Sequence, residues 1–220
     1  MNILNFILDP KNNFGGETLI YLEICLVSIV GAVIIGVLLG AAVSRSAVLS
    51  FIAVNLSGLI RAIPVIAILI IFYPIFGLGL KPTFIALILL GIPPVLLNTY
   101  TGIRSVDPAM IDSAKGMGMT TWQIATKIQA PLILPLVAAG IRTSAVQIIA
   151  TATLAAFIGA GGYGDYIVDG INVFNYTELI AGALAVAVFA LIVEALMSWL
   201  QRAVTPAGLR VQQNVEASRM

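Results

Sequence analysis

The 220-residue sequence has no histidine, one cysteine and little charge: 11 Lys+Arg and 10 Asp+Glu, 10% of the chain, for a net charge of +1. Each scarcity excludes a class of function. Without histidine there is no imidazole general base, no histidine metal ligand and no Ser-His triad. Cys25 lies inside an apolar run with no intrachain partner and reads as a small packing residue. A net charge this close to zero offers no electrostatic footprint for nucleic acid. No catalytic residue and no metal ligand is assigned. The opening MNILNFILDPKNN lacks a basic segment leading into an apolar core and a small-residue cleavage site, so it does not read as a removable signal peptide.

Apolar residues are abundant instead, at 60% of the chain and a mean hydropathy of +1.08. Such a chain cannot cover a water-facing surface with charge and must be solvated largely by lipid. A helix rises about 1.5 Å per residue and the hydrocarbon core is about 30 Å thick, so one crossing takes roughly 20 apolar residues. Five stretches qualify: residues 19–43, 48–76, 83–100, 132–158 and 179–200. The expectation is an all-α membrane protein, a single domain over residues 1–220 with about five transmembrane helices. The second stretch is longer than one straight crossing and carries Asn55, Arg61, Pro64 and Pro74, which predicts a break near Arg61–Pro64. Pro93-Pro94 predicts a distortion in the third. Basic residues concentrate on one side of this layout: Arg45, Arg104, Lys115, Lys127, Arg202, Arg210 and Arg219, against Lys11 and Lys81 on the other. Loops rich in Lys and Arg stay in the cytoplasm, which sets the N-terminus outside and the C-terminus inside.

Between the third and fourth stretches lies DSAKGMGMTTWQIATKIQAP, residues 112–131, too polar to cross a membrane and punctuated like soluble helices. Asp107-Pro108 is an N-cap with proline at the first helical position, and Thr120-x-x-Gln123 is a capping box. Gly116 and Gly118 interrupt the first helix and permit a tight turn, with Gly118 placed at the bend because glycine alone reaches φ > 0 without steric penalty. The segment 107–130 therefore reads as two short cytoplasmic helices at an angle, the second stopped by Pro131. On this punctuation alone the pair serves equally as a passive connector.

The same residues resemble the Glu-Ala-Ala loop of ATP-binding-cassette importer permeases, of the form E-A-A-x-x-x-G, nine residues, I-x-L-P. Ala114, Gly118, Ile128 and Pro131 match it, while Asp112 stands for Glu, Ser113 for Ala and Ala130 for Leu. The flanking NTYTGIRSVDPAMIDSAKGMGMTTWQI and GIRTSAVQIIATATLAAFIGAGGYGDYI are similar to the osmoprotectant permeases of that family, which handle glycine betaine, choline, carnitine and related quaternary amines. Where those relatives have Gln-Thr-Ile-Pro-Ser, this chain has Arg61-Ala62-Ile63-Pro64-Val65. The resemblance implies a type I importer permease fold in a bacterial cytoplasmic membrane. It implies coupling to an ATPase through Asp112, Ser113, Ala114, Met117, Gly118, Trp122 and Ile128. The implied partners are two ATPase subunits, an extracytoplasmic substrate-binding protein and a second permease chain, identical or paralogous. No cofactor belongs to the chain; ATP and Mg are held by the ATPase, consistent with the absence of a G-x-x-x-x-G-K-[ST] run here.

Charge within hydrocarbon costs roughly 2.5 to 3.5 kcal/mol on insertion scales and usually faces a cavity or a partner. Glu23, Arg61, Arg142 and Glu194 fall in that position. For the two glutamates a structural pairing and a functional role both stand. Arg61, beside Pro64, and Arg142 are candidates for lining or gating a pathway. Neither suits direct contact with a quaternary ammonium, which aromatic rings serve better, so Tyr73, Phe76 and Tyr100 join the candidates. Gly159–Gly164 spells G-x-G-x-x-G, but it follows an apolar span instead of a strand and reads as close backbone packing. Importers of amino acids or other small solutes remain an alternative. An ion-coupled transporter would show paired inverted halves, which this sequence lacks, and a membrane enzyme would need a reactive constellation that it also lacks.

Overall fold

The computed structural model describes residues 3–205, so Arg210 and Arg219 lie outside the described residues. Those residues are almost wholly helical: α1 (Ile3–Leu8), α2 (Phe14–Val43), α3 (Ala47–Ala62), α4 (Val65–Phe76), α5 (Leu80–Arg104), α6 (Pro108–Gly116), α7 (Thr121–Ile124), α8 (Ala130–Ala152), α9 (Tyr163–Asn172) and α10 (Tyr176–Val204). Four helical stretches are long and apolar enough to cross a membrane, and α3 with α4 makes a fifth if the bent pair is one crossing.

Glycine lets the central helices meet. A Cβ added to Gly36 would stand 2.7 Å from Cβ of Val95, and one on Gly40 2.7 Å from Cβ of Thr99. Residue numbers rise together along this contact, so α2 and α5 lie side by side and parallel. Against α5, α8 runs the other way: Gly102 faces Ile133, while Gly91 faces Ser144 and Ile148. Gly91 sits where the three helices join, with Ala32, Ile148 and Ser144 each 2.7 Å from where its Cβ would be. Lipid gives helices no hydrophobic incentive to associate, so small residues that allow close approach carry the packing. Outward, by contrast, Leu26, Ile34, Leu38, Leu184, Leu191 and Ile192 are exposed, an apolar surface that suits hydrocarbon.

The parallel pair also decides what the bent pair does. Two parallel neighbours need the chain between them to return to its starting face, so α3 and α4 together make one crossing. Ile63 is extended (φ −80°, ψ 123°), as the residue before a proline must be, and the two helices meet at 91°. The break predicted at Arg61–Pro64 is there. On α8 and α10 the pairings progress in opposite directions: the Tyr21 hydroxyl donates to the Ile149 carbonyl (2.6 Å) while its ring meets Phe189 edge-on, and Arg142 meets Glu194 and Gln201. Counting the bent pair as one, the described residues offer five crossings, with the α6–α7 turn on the face where α2 and α5 end and α8 starts, called the coupling face after the candidate residues it carries, and α9 on the opposite, distal face.

Two local expectations change. Pro93 and Pro94 do not interrupt α5, which is one helix of 25 residues; both rings are buried between helices, and the Pro94 carbonyl is taken by Nδ2 of Asn98 (2.8 Å). Nor does Pro131 stop the second short helix. The chain stays helical from Thr121 to Ile158, and Ala125–Gln129 widens into a π turn just before the proline. A widened turn shifts the hydrogen-bond ladder by one residue, which accommodates a position with no N–H to give.

Candidate functional site

The coupling face carries a turn closed by two caps. Asp107 Oδ1 accepts from the Ala109 N–H (2.8 Å) with Pro108 at the first helical position, starting α6 as the sequence predicted. At the other end the Met119 N–H reaches the Ala114 carbonyl (3.1 Å) and the Gly118 N–H the Lys115 carbonyl (2.9 Å), the two bonds of a Schellman cap. Gly118 sits at φ +77°, where a side chain is disfavoured. Gly116, by contrast, is the last residue of α6. Thr120 then opens α7 with the predicted capping box: Gln123 N–H to Thr120 Oγ1 (3.3 Å) and Thr120 N–H to Gln123 Oε1 (2.8 Å). Two caps within a few residues fix the angle between α6 and α7.

Of the candidate coupling residues, Met117 (74% exposed) and Trp122 (76%) project from this turn into open space. Asp112 and Ser113 are exposed, and Asp112 makes only a surface ion pair with Lys115 (3.1 Å). Ala114 does not belong to the projecting surface: it is fully buried, inside the turn that its own carbonyl closes. Ile128 is half-buried in the π turn.

The second feature is a groove between α8 and α10. The Arg142 Nε–H donates to Glu194 Oε1 (2.8 Å), a terminal N–H donates to the same oxygen, and the other terminal nitrogen donates to Gln201 Oε1 (3.4 Å). A cavity of about 670 Å³ runs from Ser105 and Asp107 at the coupling face in to Arg142. A second, of about 580 Å³, borders Thr143, Gln147 and Glu194. Arg142 and Gln201 belong to both. Sequence reasoning singled out the two charges but not their pairing, which is a contact between helices distant in sequence. The spacing of Glu194, Ser198 and Gln201 at i, i+4, i+7 was the legible signal of a polar face on α10.

The other pathway candidates are not gathered there. Arg61 and Pro64 lie at the elbow, exposed, and Arg61 makes no ion pair among the described residues. Tyr73 and Phe76, on the last turn of α4, are exposed near the start of α5. Tyr100 lies 20 residues further along α5, a rise of about 30 Å, so these rings form no common cage. Glu23 is exposed on α2.

On the distal face, Glu17 Oε2 accepts from the Gly162 N–H (2.6 Å), and the Tyr163 hydroxyl meets Thr18 Oγ1 (2.9 Å). Gly159, Gly161 and Gly162 all have positive φ, and a Cβ on Gly162 would meet the Tyr21 ring at 3.0 Å. The G-x-G-x-x-G run is therefore a tight turn pinned to α2. Asp165, just beyond it, has its carboxyl pushed up to about 6 by burial and by the nearby charges of Glu17 and Asp169.

The helices are joined in this order with an exposed two-helix turn between α5 and α8. Residues 32–207 match the family of binding-protein-dependent transport system inner membrane components. The chain belongs to that family. It is 38% identical over 205 residues (91% of this chain, 94% of the relative) to the glycine betaine/carnitine/choline transport system permease protein OpuCB of Bacillus subtilis. It is 36% identical to the carnitine transport permease protein OpuCB of Listeria monocytogenes, covering 94% of this chain and 95% of that one. With the osmoprotectant import permease protein OsmW of Salmonella typhimurium it shares 33% identity over 96% of this chain and all of the relative. The fold matches a chain of the inward-facing MetNI methionine ABC transporter (TM-score 0.74, 20% identity, 85% of this chain and 94% of that one). It also matches a chain of an amino acid ABC transporter crystallised with histidines (TM-score 0.74, 17% identity, 92% and 99%).

Proposed function

We propose that the chain is the membrane permease of an ATP-driven importer for a small quaternary amine such as glycine betaine, carnitine or choline. The observation that carries this reading is near-full-length similarity to permeases named for those solutes, in a chain with an exposed, doubly capped turn where such a subunit meets its motor. In this reading the whole chain is one membrane domain, multi-pass in a bacterial cytoplasmic membrane, with the N-terminus outside and the coupling face in the cytoplasm. Two copies, or this chain and a paralogue, enclose the pathway. Two ATPases hold ATP and Mg, and an extracytoplasmic binding protein delivers the solute to the distal face.

Met117 and Trp122 are the exposed apolar contacts for the ATPase, flanked by Asp112 and Ser113, while Gly118, Ala114 and Ile128 hold the turn in shape. Arg142 lines the pathway in the α8–α10 groove, and Arg61 with Pro64 forms the elbow at which it opens and closes. Tyr73 and Tyr100, outside that groove, offer aromatic faces near opposite ends of α5. Reconstitution with the ATPase and binding protein tests the assignment: uptake of glycine betaine, carnitine or choline should require ATP and the ATPase and persist without an ion gradient. Uptake that follows an ion gradient and proceeds without the ATPase would overturn it.

A further inference from the structure

We propose that the Arg142–Glu194 pair is a subsite for zwitterionic solutes, those carrying a carboxylate and a quaternary ammonium on one small molecule. The proposal rests on the pathway reading above and names the solute class that this part of the pathway prefers. The guanidinium makes three hydrogen bonds, two of them to the single oxygen Oε1 of Glu194 and one to Gln201. A guanidinium has five N–H donors, so two are left over. The side chains are 39% and 33% exposed, open enough for a solute to reach them; Arg142 borders both cavities, of about 670 and 580 Å³, and Glu194 borders the second. A lone charge at this depth is costly, whereas the pair adds no net charge to the groove. A zwitterion also brings none. Its carboxylate fits the spare donors of Arg142, and its ammonium, which has no proton to donate, rests by charge alone beside Glu194. A simple cation meets the same Glu194 but leaves the groove with an uncompensated positive charge.

Two single variants separate this role from that of a clamp between α8 and α10. Glu194→Gln leaves a positive site that repels a cation and still holds a carboxylate; Arg142→Gln leaves a negative site with the opposite preference. Uptake of glycine betaine and choline is measured in the complete reconstituted transporter with one binding protein throughout, so that its own selectivity cancels. Relative to the parent chain, the betaine:choline ratio should rise at least about tenfold in Glu194→Gln and fall by a similar factor in Arg142→Gln, the effect of one charge-assisted contact. Equal losses for both solutes, with the ratio unchanged in both variants, would show a clamp and overturn the proposal. If either single variant fails to assemble, the charge-free Arg142→Gln/Glu194→Gln double variant replaces it. There the KM for betaine should rise at least about tenfold while that for choline changes less than about threefold, and equal changes would refute the subsite. A parent transporter that moves neither solute would instead overturn the importer reading, and the subsite with it.

Discussion

Gly118→Val tests whether the coupling turn is a mechanical part. Gly118 lies at φ +77°, and nothing stands within 4 Å of where its Cβ would be. The substitution therefore meets no steric collision with a neighbour, and its whole cost is conformational. Holding an L-residue in the left-handed region costs roughly 1–2 kcal/mol, with a β-branched side chain at the upper end. If the cap relaxes, the bonds from Met119 to Ala114 and from Gly118 to Lys115 are lost, and the angle at which Met117 and Trp122 project goes with them. A cost of that size corresponds to about a 5- to 30-fold fall in the population of the correct turn. ATPase affinity for the solubilised permease should drop by a similar factor while the protein still inserts. Gly116→Ala is the matched control: it too has open space around it, but it lies within α6, where alanine is preferred by up to about 1 kcal/mol. Gly118→Asn should be milder than valine, because asparagine tolerates the left-handed region. ATPase binding titrations on the three variants decide the matter. If Gly118→Val binds within twofold of the parent and couples hydrolysis to uptake normally, the turn is a passive connector and the reasoning fails.

Topology is checked by labelling: in a Cys25→Ala background, cysteine at Asp169 should react with an impermeant thiol reagent on intact cells and cysteine at Lys115 should not. Gly40→Ala places a Cβ 2.7 Å from Cβ of Thr99 and 2.8 Å from the Leu96 carbonyl, so it should lower thermal stability in detergent by about 1–3 kcal/mol of overpacking, whereas Gly58→Ala, with nothing within 4 Å, should not. Tyr21→Phe removes the bond to the Ile149 carbonyl and should cost about 1 kcal/mol in the same assay. For Asp165 the sign follows from a carboxyl raised to about 6 when folded: the folded state holds the proton more tightly, so stability falls as pH rises from about 4 to about 6 and stays lower above. Asp165→Asn should raise Tm at pH 7.5 and narrow its difference from pH 5; an unchanged pH profile would mean that Asp165 titrates normally.

Much of this protein was written locally in its sequence. Apolar runs of membrane length marked where the long apolar helices lie, because lipid thickness sets a length that composition alone reveals. Ile63-Pro64 gave the break, because proline restricts the residue before it whatever lies nearby. Asp107-Pro108 and Thr120-x-x-Gln123 gave the helix starts, since a cap is satisfied within a few residues. Helix ends ran past the apolar boundaries, as at Phe14 and Tyr176, because caps and hydropathy answer different questions. Gly118 read as the bend, since glycine alone reaches positive φ freely, and the folded turn has it there, whereas Gly116, read as a second interruption, stays within the helix. Pro131 looked like a stop, yet a π turn carries the helix past it. The remainder depended on which helices become neighbours. That α2 and α5 run parallel and that Arg142 meets Glu194 are facts about residues far apart along the chain. Local propensity does not encode them; close approach at Gly36, Gly40 and Gly91 and the avoidance of unpaired charge in hydrocarbon do, and those act only once the helices are packed.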